Sequence, residues 1–579
     1  MTTIPKYKIA FESRDDLKAF SPNALLLFAL ETRFHLDDIK TVATTALTDG
    51  GDDKKCDLIY VDRDRRCVVV AQGYEAAVPK ETGKANKASD LNTAIAWLLL
   101  MDISELPVRI KSAAQEVRQA LTDGEISTFQ LWYVHNSPQS SKVNAELQAN
   151  ELALRAALKE KGYVVEAVAA VEVGVETLDE WYAALEAPIL VSDTFRILVD
   201  GYYTINSTGW KAIVAPIPAA WLYKIWNDHK SKLLSANVRD YLGSRNSDKN
   251  VNSGIKDTAS QRPDYFWVFN NGITALVNDI SIEQSEEGTT LIVKGLSIVN
   301  GAQTTGAIGT LDEAPHPSAM IPARFVKCSD NSAVMDIVQY NNTQNSVKAA
   351  DFRSNDSIQR RLREEFKVIP SALYTGGRRG GTDDAIKRPP NLLSAETCSQ
   401  ALACFHQEPI LAYHKKGELW ENDNHYSKIF SEMTHANHVL FCYALLKSIE
   451  DRKISLSKNS TLIELEQLEL KFYGTRGATF LATAAIAACL ETLTSRSIPN
   501  AFRVSFGAKT PVRAIANWIP IVESVAPFMD ILMPAVEIGF NSKESLVLPI
   551  KQFKMMVAAT KKSNSAIFEE FSSAVVISS

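Results

Sequence analysis

The feature that most constrains the fold is a pair of β-branched runs, CDLIYVD (56–62) and CVVVAQGY (67–74), separated by the short polar turn RDRR. Runs of Val, Ile and Tyr bounded by polar turn residues are typical of strands, and so short a connection joins antiparallel neighbours. The pattern therefore predicts a β-hairpin. Because side chains alternate along a strand, Gln72 and Tyr74 are expected on one face of it.

Helical and strand patterns alternate around this hairpin, which predicts an α/β domain over residues 1–175. The apolar spacing of NALLLFALETRFHLDDIKTVATTAL (23–47) predicts a buried helix before the hairpin. After the hairpin we predict helices from about residue 89 to 101 and from about 141 to 161, and strands at 129–136 and 163–171.

Two further regions follow, so we predict a multidomain protein of the α/β and α+β classes. Strands and helices alternate again in a central mixed α/β domain at 190–450, and a helical C-terminal region follows at 451–579. The chain of 579 residues is long enough for three to four cores at about 150 residues per domain. After about Leu392 the pattern is mostly helical, and the helices are kept short by Pro511, Pro520, Pro527, Pro534 and Pro549.

Composition and charge narrow the class of protein. The 46% hydrophobic content and the net charge of −6 exclude bulk disorder and a strongly basic coat for nucleic acid. Seven scattered cysteines without a C-x-x-C pair indicate reduced thiols, and the longest apolar run, ATFLATAAIAACL, is too short to span a bilayer. We therefore expect a cytoplasmic protein without membrane contact, in which His435 and His438 of THANH lie on a helix surface.

The hairpin carries candidate metal-binding chemistry, since Asp57 begins its first strand and Gln72 ends its second. Nucleases of the restriction-enzyme fold have a similar layout, with Asp on one strand and Asp, Glu or Gln two residues before a Lys on its partner. Such oxygens hold Mg²⁺ or Mn²⁺, which activates and orients the attacking hydroxide. We therefore predict Glu31, Asp57 and Gln72 as metal ligands, with Glu31 coming from the preceding helix.

The hairpin departs from that layout at one position, because Tyr74 stands where the lysine is expected. Lys84 and Lys87 lie just before the next predicted helix and are candidates to supply the amine that stabilises negative charge. Asp57, Gln72, Lys84 and Lys87 are thus the candidate catalytic residues. The alternative reading stays open: Asp57 caps a turn, Gln72 satisfies an edge backbone, and the domain is a degenerate DNA-binding relic.

Asn, Gln, Gly and Arg gather at predicted strand–helix junctions of the central region. A β-branched strand there ends in NGAQT, where Gly301 permits a tight turn and the N–H groups of a helix start favour a phosphate. The candidate nucleotide-binding residues are Asn271, Gly272, Asn300, Gly301, Gln303, Thr304, Asn342 and Gln344, and the candidate nucleic-acid-binding residues are Arg239, Arg353, Arg378 and Arg379. Singly, each is explained by a tight turn, a cap or a solvated helix face. Together they predict a polar cleft for a nucleotide or a nucleic-acid backbone.

As an ordered set, these segments resemble the AIPR (abortive infection phage resistance) proteins of bacteria. The resemblance rests on SANVRDYLG, VNSGI, FNNGIT, IVNGAQTTGAI, YNNTQNSVKAADFRSND and YTGGRRGG, over about residues 195–450. It implies a role in defence against phage, acting on nucleic acid, and often an N-terminal restriction-endonuclease-like (PD-(D/E)xK, Mrr-like) domain. The hairpin matches that domain at Asp57 and Gln72 but not at Tyr74. The NGAQT turn has a weaker likeness to the DGQHR and ParB-like proteins, limited to Gly301, Gln303 and Thr304.

Two functional hypotheses follow. The first is a Mg²⁺-dependent DNA nuclease of anti-phage defence, whose central domain recognises nucleic acid, a nucleotide or a trigger. The second is a catalytically inactive sensor or scaffold that binds nucleic acid or a nucleotide in a multi-component system; RNA processing is a third reading that the sequence does not separate from the first. Because the net charge is near neutral, we expect partner defence subunits or a homo-oligomer to strengthen binding to DNA.

Overall fold

A computed structural model describes most of the chain. The described residues are 5–48, 50–78, 80–186, 189, 191–234, 251–286, 288–328, 337, 353, 356–374, 376, 391–537 and 539–578. They form a mixed α/β protein with two large sheets and an extensive helical region, in agreement with the predicted fold class.

A four-stranded sheet organises the N-terminal region. Its strands, in spatial order, are β1 (Leu58–Asp62), β2 (Cys67–Tyr74), β3 (Thr128–His135) and β4 (Ala167–Val173). β1 and β2 are antiparallel, whereas β2, β3 and β4 run parallel to one another. The predicted hairpin is therefore confirmed, and the carboxyl ends of three strands meet at one edge of the sheet. The strand predicted at 163–171 begins four residues later than expected.

Helices cover both faces of this sheet. They are α1 (Lys6–Glu12), α2 (Asp15–Lys18), α3 (Ala24–Phe34), α4 (Ile39–Ala46), α5 (Ala85–Ser89), α6 (Leu91–Ile95), α7 (Val108–Thr122), α8 (Ser141–Glu160) and α9 (Val175–Glu186). Buried side chains of α1 to α4 and α9 form one core with Leu58, Val69 and Ala71, and those of α5 to α8 form a second core with Ile59, Val68 and Val70. Successive side chains of each strand thus point alternately into one core and the other. The α9 helix, beyond the predicted boundary at residue 175, packs back onto the first core.

Two helix predictions need correction in this region. The stretch predicted as one helix at 23–47 is broken into α3 and α4, because His35 adopts a left-handed conformation with φ of 50° that ends α3. The helix predicted from about residue 89 to 101 begins with α5 at Ala85, and its last part, Ala96–Leu100, is a π-helical turn after α6. The helix predicted at 141–161 is confirmed as α8.

The central region contains a seven-stranded mixed sheet. Its strands are β5 (Val191–Val199), β6 (Tyr203–Ser207), β7 (Trp210–Pro218), β8 (Ile273–Val277), β9 (Asp279–Ser285), β10 (Gly288–Asn300) and β11 (Met320–Cys328). They are ordered β5-β10-β8-β11-β7-β6, with β9 also pairing with β10. The helices beside it are α10 (Ala219–His229), α11 (Val251–Gln261), α12 (Phe266–Phe269) and α13 (Ala302–Gly309), with 3₁₀ turns at Lys230–Leu234 and Pro263–Tyr265.

The remaining described residues form one large helical core. Its helices are α14 (Ser357–Phe366), α15 (Ala395–Phe405), α16 (Pro409–His414), α17 (Glu418–Glu421), α18 (Asp423–Ile429), α19 (Ala436–Lys458), α20 (Glu464–Tyr473), α21 (Ala478–Ala488), α22 (Leu490–Thr494), α23 (Pro511–Val525), α24 (Met533–Glu537), α25 (Glu544–Ala559) and α26 (Ser565–Ala574). Two short strand pairs complete it, β12 (Leu373–Tyr374) with β13 (Leu392–Leu393) and β14 (Val504–Ser505) with β15 (Val576–Ile577). The predicted boundary at 450/451 falls inside α19, whose two halves share this core.

Among the described residues, one helical stretch, Pro511–Glu537, is long and apolar enough to cross a membrane by length and composition. The stretch joins α23, a 3₁₀ segment and α24, and buried side chains along it, such as Trp518, Val525 and Met529, pack within the helical core. It therefore has the character of a core element.

Charged side chains join the N-terminal region to the helical core. The Lys447 ammonium on α19 lies 2.5 Å from the Asp38 carboxylate at the start of α4, and Arg476 Nε lies 3.6 Å from Glu116 on α7. At the β1–β2 turn, the Gly417 N–H donates to the Asp64 carboxylate at 2.9 Å. The helical core thus contacts the hairpin at its turn.

Candidate functional site

The hairpin register brings Asp57 and Gln72 together. The antiparallel β1–β2 ladder runs from the Leu58–Ala71 pair to the Asp62–Cys67 pair, and Asp57 immediately precedes it. The Asp57 N–H donates to the Ala71 carbonyl at 3.0 Å, and the Gly73 N–H donates to Asp57 Oδ2 at 2.7 Å. Gln72 shares the face of Val68 and Val70, which is covered by α5 to α8. Asp57 comes next to it at the end of β2 through the bond between its carboxylate and the Gly73 N–H.

The Gln72 side chain is buried without a partner for its oxygen. Gln72 is 3% exposed, and none of the described residues donates a hydrogen bond to its Oε1 atom. An unsatisfied buried acceptor costs about 1–3 kcal/mol, so it calls for an explanation such as a bound water or ion. Its position beside Asp57 makes a cation a natural partner.

The same row of the sheet continues across the parallel strands. Gln72 pairs with Tyr133 on β3, and Tyr133 pairs with Glu172 on β4. Gln72, Tyr133 and Glu172 therefore form one line on one face, and the Asp57 carboxylate is held beside the end of this line by the Gly73 N–H. We call these four residues the polar row. Burial raises the pKa of Tyr133 to about 12, so its hydroxyl remains a neutral donor at physiological pH.

Lys84 reaches the end of this row, and Lys87 has another partner. The Lys84 N–H donates to the Tyr133 hydroxyl at 3.2 Å, and its Nζ lies 4.3 Å from the centroid of the Tyr74 ring. A hydrogen bond with the Lys84 ammonium lowers the pKa of the Tyr74 hydroxyl below its usual value of 10.0. The Lys87 Nζ lies 3.9 Å from the Asp90 carboxylate. An amine is thus held over the residue that replaces the expected lysine.

The structure places Glu31 on the face of the sheet opposite to the one that Gln72 faces. Glu31 belongs to α3, which packs on the opposite face of the sheet, and its Oε2 accepts from Arg14 Nη1 at 2.7 Å. The start of α3 approaches the carboxyl end of β2, since a Cβ on Gly73 would lie 3.3 Å from the Leu26 side chain. Glu31 follows Leu26 by more than one helical turn, in the direction of the hairpin turn. The carboxylate is thus neutralised by an arginine, on the far side of the sheet.

A buried histidine and glutamate at the same edge were missed by the sequence reasoning. The Ser137 N–H donates to His135 Nδ1 at 3.2 Å, so His135 Nε2 carries the proton that it shares with Glu172 Oε1 at 3.1 Å. The Ser140 N–H at the start of α8 also donates to both Glu172 oxygens. The alternation in LWYVH and AVEV places both side chains on the Gln72 face, a signal that would have identified them once β3 and β4 were known to be parallel neighbours.

The donor set fits a divalent ion that keeps most of its water. Mg²⁺ is commonly bound through one or two protein carboxylates with several retained waters. Here Asp57 supplies a carboxylate and Gln72 a buried amide oxygen. No group of three or more His, Cys, Asp or Glu residues in the described part of the chain is arranged to hold a metal. The row therefore suits a hydrated Mg²⁺ or Mn²⁺ and does not suit a closed zinc-type site.

In the central domain, the two Asn-Gly segments meet at one junction. Gly272 and Gly301 have φ of 77° and 94°, and a Cβ on Gly301 would lie 2.6 Å from the Gly272 carbonyl oxygen. The Asn270 carboxamide oxygen accepts from the Gly272 N–H at 2.9 Å and from the Thr304 hydroxyl at 3.1 Å. The junction therefore needs glycine at both turns, because an L side chain is strained there and lacks room.

The predicted nucleotide-binding residues of this junction differ in exposure. Asn271 and Gln303 are exposed, Asn300 is half-buried at the end of β10, and Thr304 is buried. Thr304 uses its hydroxyl to hold Asn270, which is a structural role. Asn271 and Gln303 thus offer the amide groups that a ligand could reach.

The other predicted residues have separate outcomes. Arg353 donates to the Trp420 carbonyl at 3.0 Å, pairs with Asp423 and lies 4.5 Å from the centroid of the Tyr426 ring, so it contacts the helical core. The candidates that lie outside the described residues are Arg239, Asn342, Gln344, Arg378 and Arg379.

Comparison with known proteins gives one match. The model of the family described as AIPR protein matches residues 234–524, just over half of the chain. The match includes the Asn-Gly junction and much of the helical core. No curated protein and no solved structure gives a significant match.

Proposed function

This chain belongs to the AIPR family, whose name denotes abortive infection and phage resistance, and from that premise we propose that it is a cytoplasmic nuclease of bacterial anti-phage defence. The N-terminal region would be a restriction-endonuclease-like domain that cleaves DNA with Mg²⁺ or Mn²⁺. The central domain would recognise nucleic acid, a nucleotide or a trigger. The observation that supports the proposal is the buried Gln72 oxygen, which has no hydrogen-bond partner among the described residues and lies next to Gly73, whose N–H holds the Asp57 carboxylate.

The polar row supplies the groups that phosphodiester cleavage needs. A bound Mg²⁺ would supply an activated water and Lewis-acid polarisation of the phosphate. Asp57 and Gln72 would hold the ion, and the Lys84 ammonium would stabilise negative charge on the phosphate from its place over Tyr74. Tyr74 would act as a positioning residue, since its ring and hydroxyl hold the amine. Tyr133 would restrain the start of α5 through the Lys84 N–H.

Cleavage of supercoiled plasmid and phage DNA by the full chain, with Mg²⁺, Mn²⁺ or EDTA, tests this proposal. We expect Asp57→Asn and Lys84→Met to slow cleavage by about 10² or more, the loss typical of removing one preorganised charge-stabilising group. Lys87→Met is the matched control, because Lys87 pairs with Asp90, and it should cleave like the unaltered protein. The double variant Tyr74→Lys with Lys84→Met should recover activity, because it restores the amine two residues after Gln72.

Metal binding provides a readout that does not depend on turnover. In Mn²⁺ titrations followed by electron paramagnetic resonance, Asp57→Asn should lose the bound ion, whereas Lys84→Met should retain it. Cleavage that survives Asp57→Asn, or no cleavage with any divalent ion, would refute the nuclease assignment. Equal losses in Lys84→Met and Lys87→Met would refute the role given to Lys84 alone.

A second candidate function is a catalytically inactive sensor or scaffold. Two observations favour it. Asp57 Oδ2 accepts a hydrogen bond from the Gly73 N–H, as a structural carboxylate does. Tyr74 occupies the position at which the nuclease layout has a lysine. A sensor predicts that Asp57→Asn still protects cells against phage, while Gln303→Ala at the exposed junction loses protection. Partner defence subunits or self-association would then provide the effector.

A further inference from the structure

A short aromatic segment precedes the Asn-Gly junction and is exposed to an unusual degree. Within Tyr265–Phe269, Phe266 is fully buried in the central core, while Tyr265, Trp267 and Phe269 are 51%, 42% and 56% exposed. Val268 between them is also exposed. Contiguous apolar surface of this kind on a soluble protein commonly marks a binding site. Phe266 thus fixes the segment, and its neighbours are presented outward.

Two of the exposed rings and one arginine pack against one another. Tyr265 and Phe269, one helical turn apart, stack with centroids 5.5 Å apart and an interplanar angle of 23°. The Arg262 guanidinium lies 4.8 Å from the Tyr265 centroid and 5.4 Å from the Phe269 centroid. We call these three residues the aromatic shelf. Their arrangement is organised before any ligand arrives.

The charge on the shelf is uncompensated within the described part of the chain. No carboxylate of the described residues forms an ion pair with Arg262, whereas other arginines that lie over rings, such as Arg65 and Arg353, also pair with Asp62 and Asp423. A guanidinium that stacks on rings and has no local counter-ion suits a ligand that combines a flat ring with negative charge.

We infer that the aromatic shelf is a stacking surface for the bases of a single-stranded nucleic acid. Every base has a π-face that stacks on aromatic rings and guanidinium planes, and its phosphates supply the missing negative charge. Asn270, which directly follows Phe269, holds Thr304, and so the exposed amides of Asn271 and Gln303 flank the same junction. Amides of this kind can donate to and accept from base edges.

This inference rests on the proposal that the central domain recognises nucleic acid, but it does not require cleavage by the N-terminal domain. Binding is therefore measured in EDTA, using the full chain and fluorescence anisotropy of labelled 15-nucleotide dT and rU strands. An abasic 15-mer has the same phosphates without bases, and a 15-base-pair duplex has its bases paired. We expect the dT and rU strands to bind more tightly than the abasic strand and the duplex.

Variants locate the binding surface. Removing an aromatic ring beneath a base costs about 1–3 kcal/mol, so Tyr265→Ala and Phe269→Ala should each weaken binding by about tenfold or more. Tyr203→Ala is the matched control, since Tyr203 lies on the edge strand β6 and is 67% exposed. Its affinity should stay within about twofold, as is typical of surface substitutions.

Photocrosslinking gives a measurement on the unaltered protein in case a variant folds poorly. A strand containing 5-bromouracil should crosslink to the peptide that includes residues 262–271. Crosslinks confined to other peptides, equal affinity for dT and abasic strands, or no single-strand binding would each overturn the inference. Self-association that Tyr265→Ala abolishes, without strand binding, would assign the shelf to a second copy of the chain. Absence of Mg²⁺-dependent cleavage would refute the nuclease proposal and leave this binding result intact.

Discussion

Two buried histidines of the helical core should make the protein sensitive to mild acid. His438 Nδ1 donates to the Val504 carbonyl at 2.9 Å, so its Nε2 is left as an acceptor, and His406 Nε2 lies 3.0 Å from it as the donor. The two rings share one proton at this contact. A proton added to His438 Nε2 would face the His406 N–H, and both rings are largely removed from water, so both are neutral in the folded protein.

The size of the stability loss in acid follows from the pKa values of the two histidines. Burial lowers the pKa of His438 to about 4 and that of His406 to about 3, from 6.5 in the unfolded chain. Between pH 6.5 and about pH 4 the unfolded chain binds protons that the folded protein does not bind, so stability falls as the pH falls through this window. At pH 4.5, two units below the unfolded pKa, each ring should cost roughly 2.5 kcal/mol, and the pair about 5 kcal/mol.

Guanidinium unfolding at pH 7.5 and 4.5, followed by tryptophan fluorescence and by hydrogen exchange in the Ala436–Lys458 helix, measures this loss. The His406 ring stacks on Phe502 with centroids 3.9 Å apart, so His406→Phe keeps this stacking but removes one titrating ring. It should lower stability at pH 7.5 by about 1 kcal/mol, because His438 Nε2 then keeps only the Cys442 thiol, 3.5 Å away, as a weak donor. Between pH 7.5 and 4.5, however, it should lose roughly 2.5 kcal/mol less than the unaltered protein. Equal losses in both proteins would show that the pair does not titrate as the geometry requires.

Two substitutions test the Asn-Gly junction and the contact between regions. Gly272→Ala should destabilise the central domain by several kcal/mol in thermal unfolding, because φ is 77° and the new Cβ would lie 2.0 Å from the Pro322 carbonyl oxygen. The control Gly209→Ala has a φ of 87° but no atom within 4 Å of its Cβ, so it should lower stability by only about 1–3 kcal/mol. Lys447→Met should lower the free energy of unfolding by about 3–5 kcal/mol, because it leaves buried carboxylates without their cation. Lys40→Met, which breaks a half-exposed ion pair, should lower it by under about 1 kcal/mol. Similar losses in the two variants would contradict this ranking.

The parts of the site that lie within one local pattern were predictable from the sequence. The alternation of CVVVAQGY fixes the face of Gln72, and the four-residue polar turn fixes a register that brings Asp57 to the end of β2. The two Asn-Gly turns were predictable for the same reason, because each needs a positive φ that glycine adopts without strain. Local chemistry decides such features, so one sequence suffices for them.

The predictions that failed concern residues whose surroundings depend on which helices and strands become neighbours in the fold. Glu31 was expected to join Asp57 and Gln72, but α3 covers the face opposite to that of Gln72, and helix periodicity carries no information on the face that a helix will cover. His438 was expected on a helix surface, yet it is 1% exposed, because α19 is enclosed by α15 and α23 and buries nearly its whole first half. His135 and Glu172 lie on strands that are 37 residues apart in sequence, and only the parallel pairing joins them.

The helical core also supports the hairpin that carries the candidate site. The helical core contacts the β1–β2 turn, where Lys416 Nζ lies 3.8 Å from Asp62 Oδ2 and Gly417 binds Asp64. Asp57 is five residues from Asp62, which corresponds to about 17 Å along an extended strand. Arg476 Nη2 of the core also donates to the Ile59 carbonyl at 2.6 Å, so the core holds the hairpin both at its turn and along β1, two residues from Asp57. Because Lys416 and Gly417 fall within the residues matched by the AIPR family, this family's region directly supports the hairpin that carries the proposed metal site.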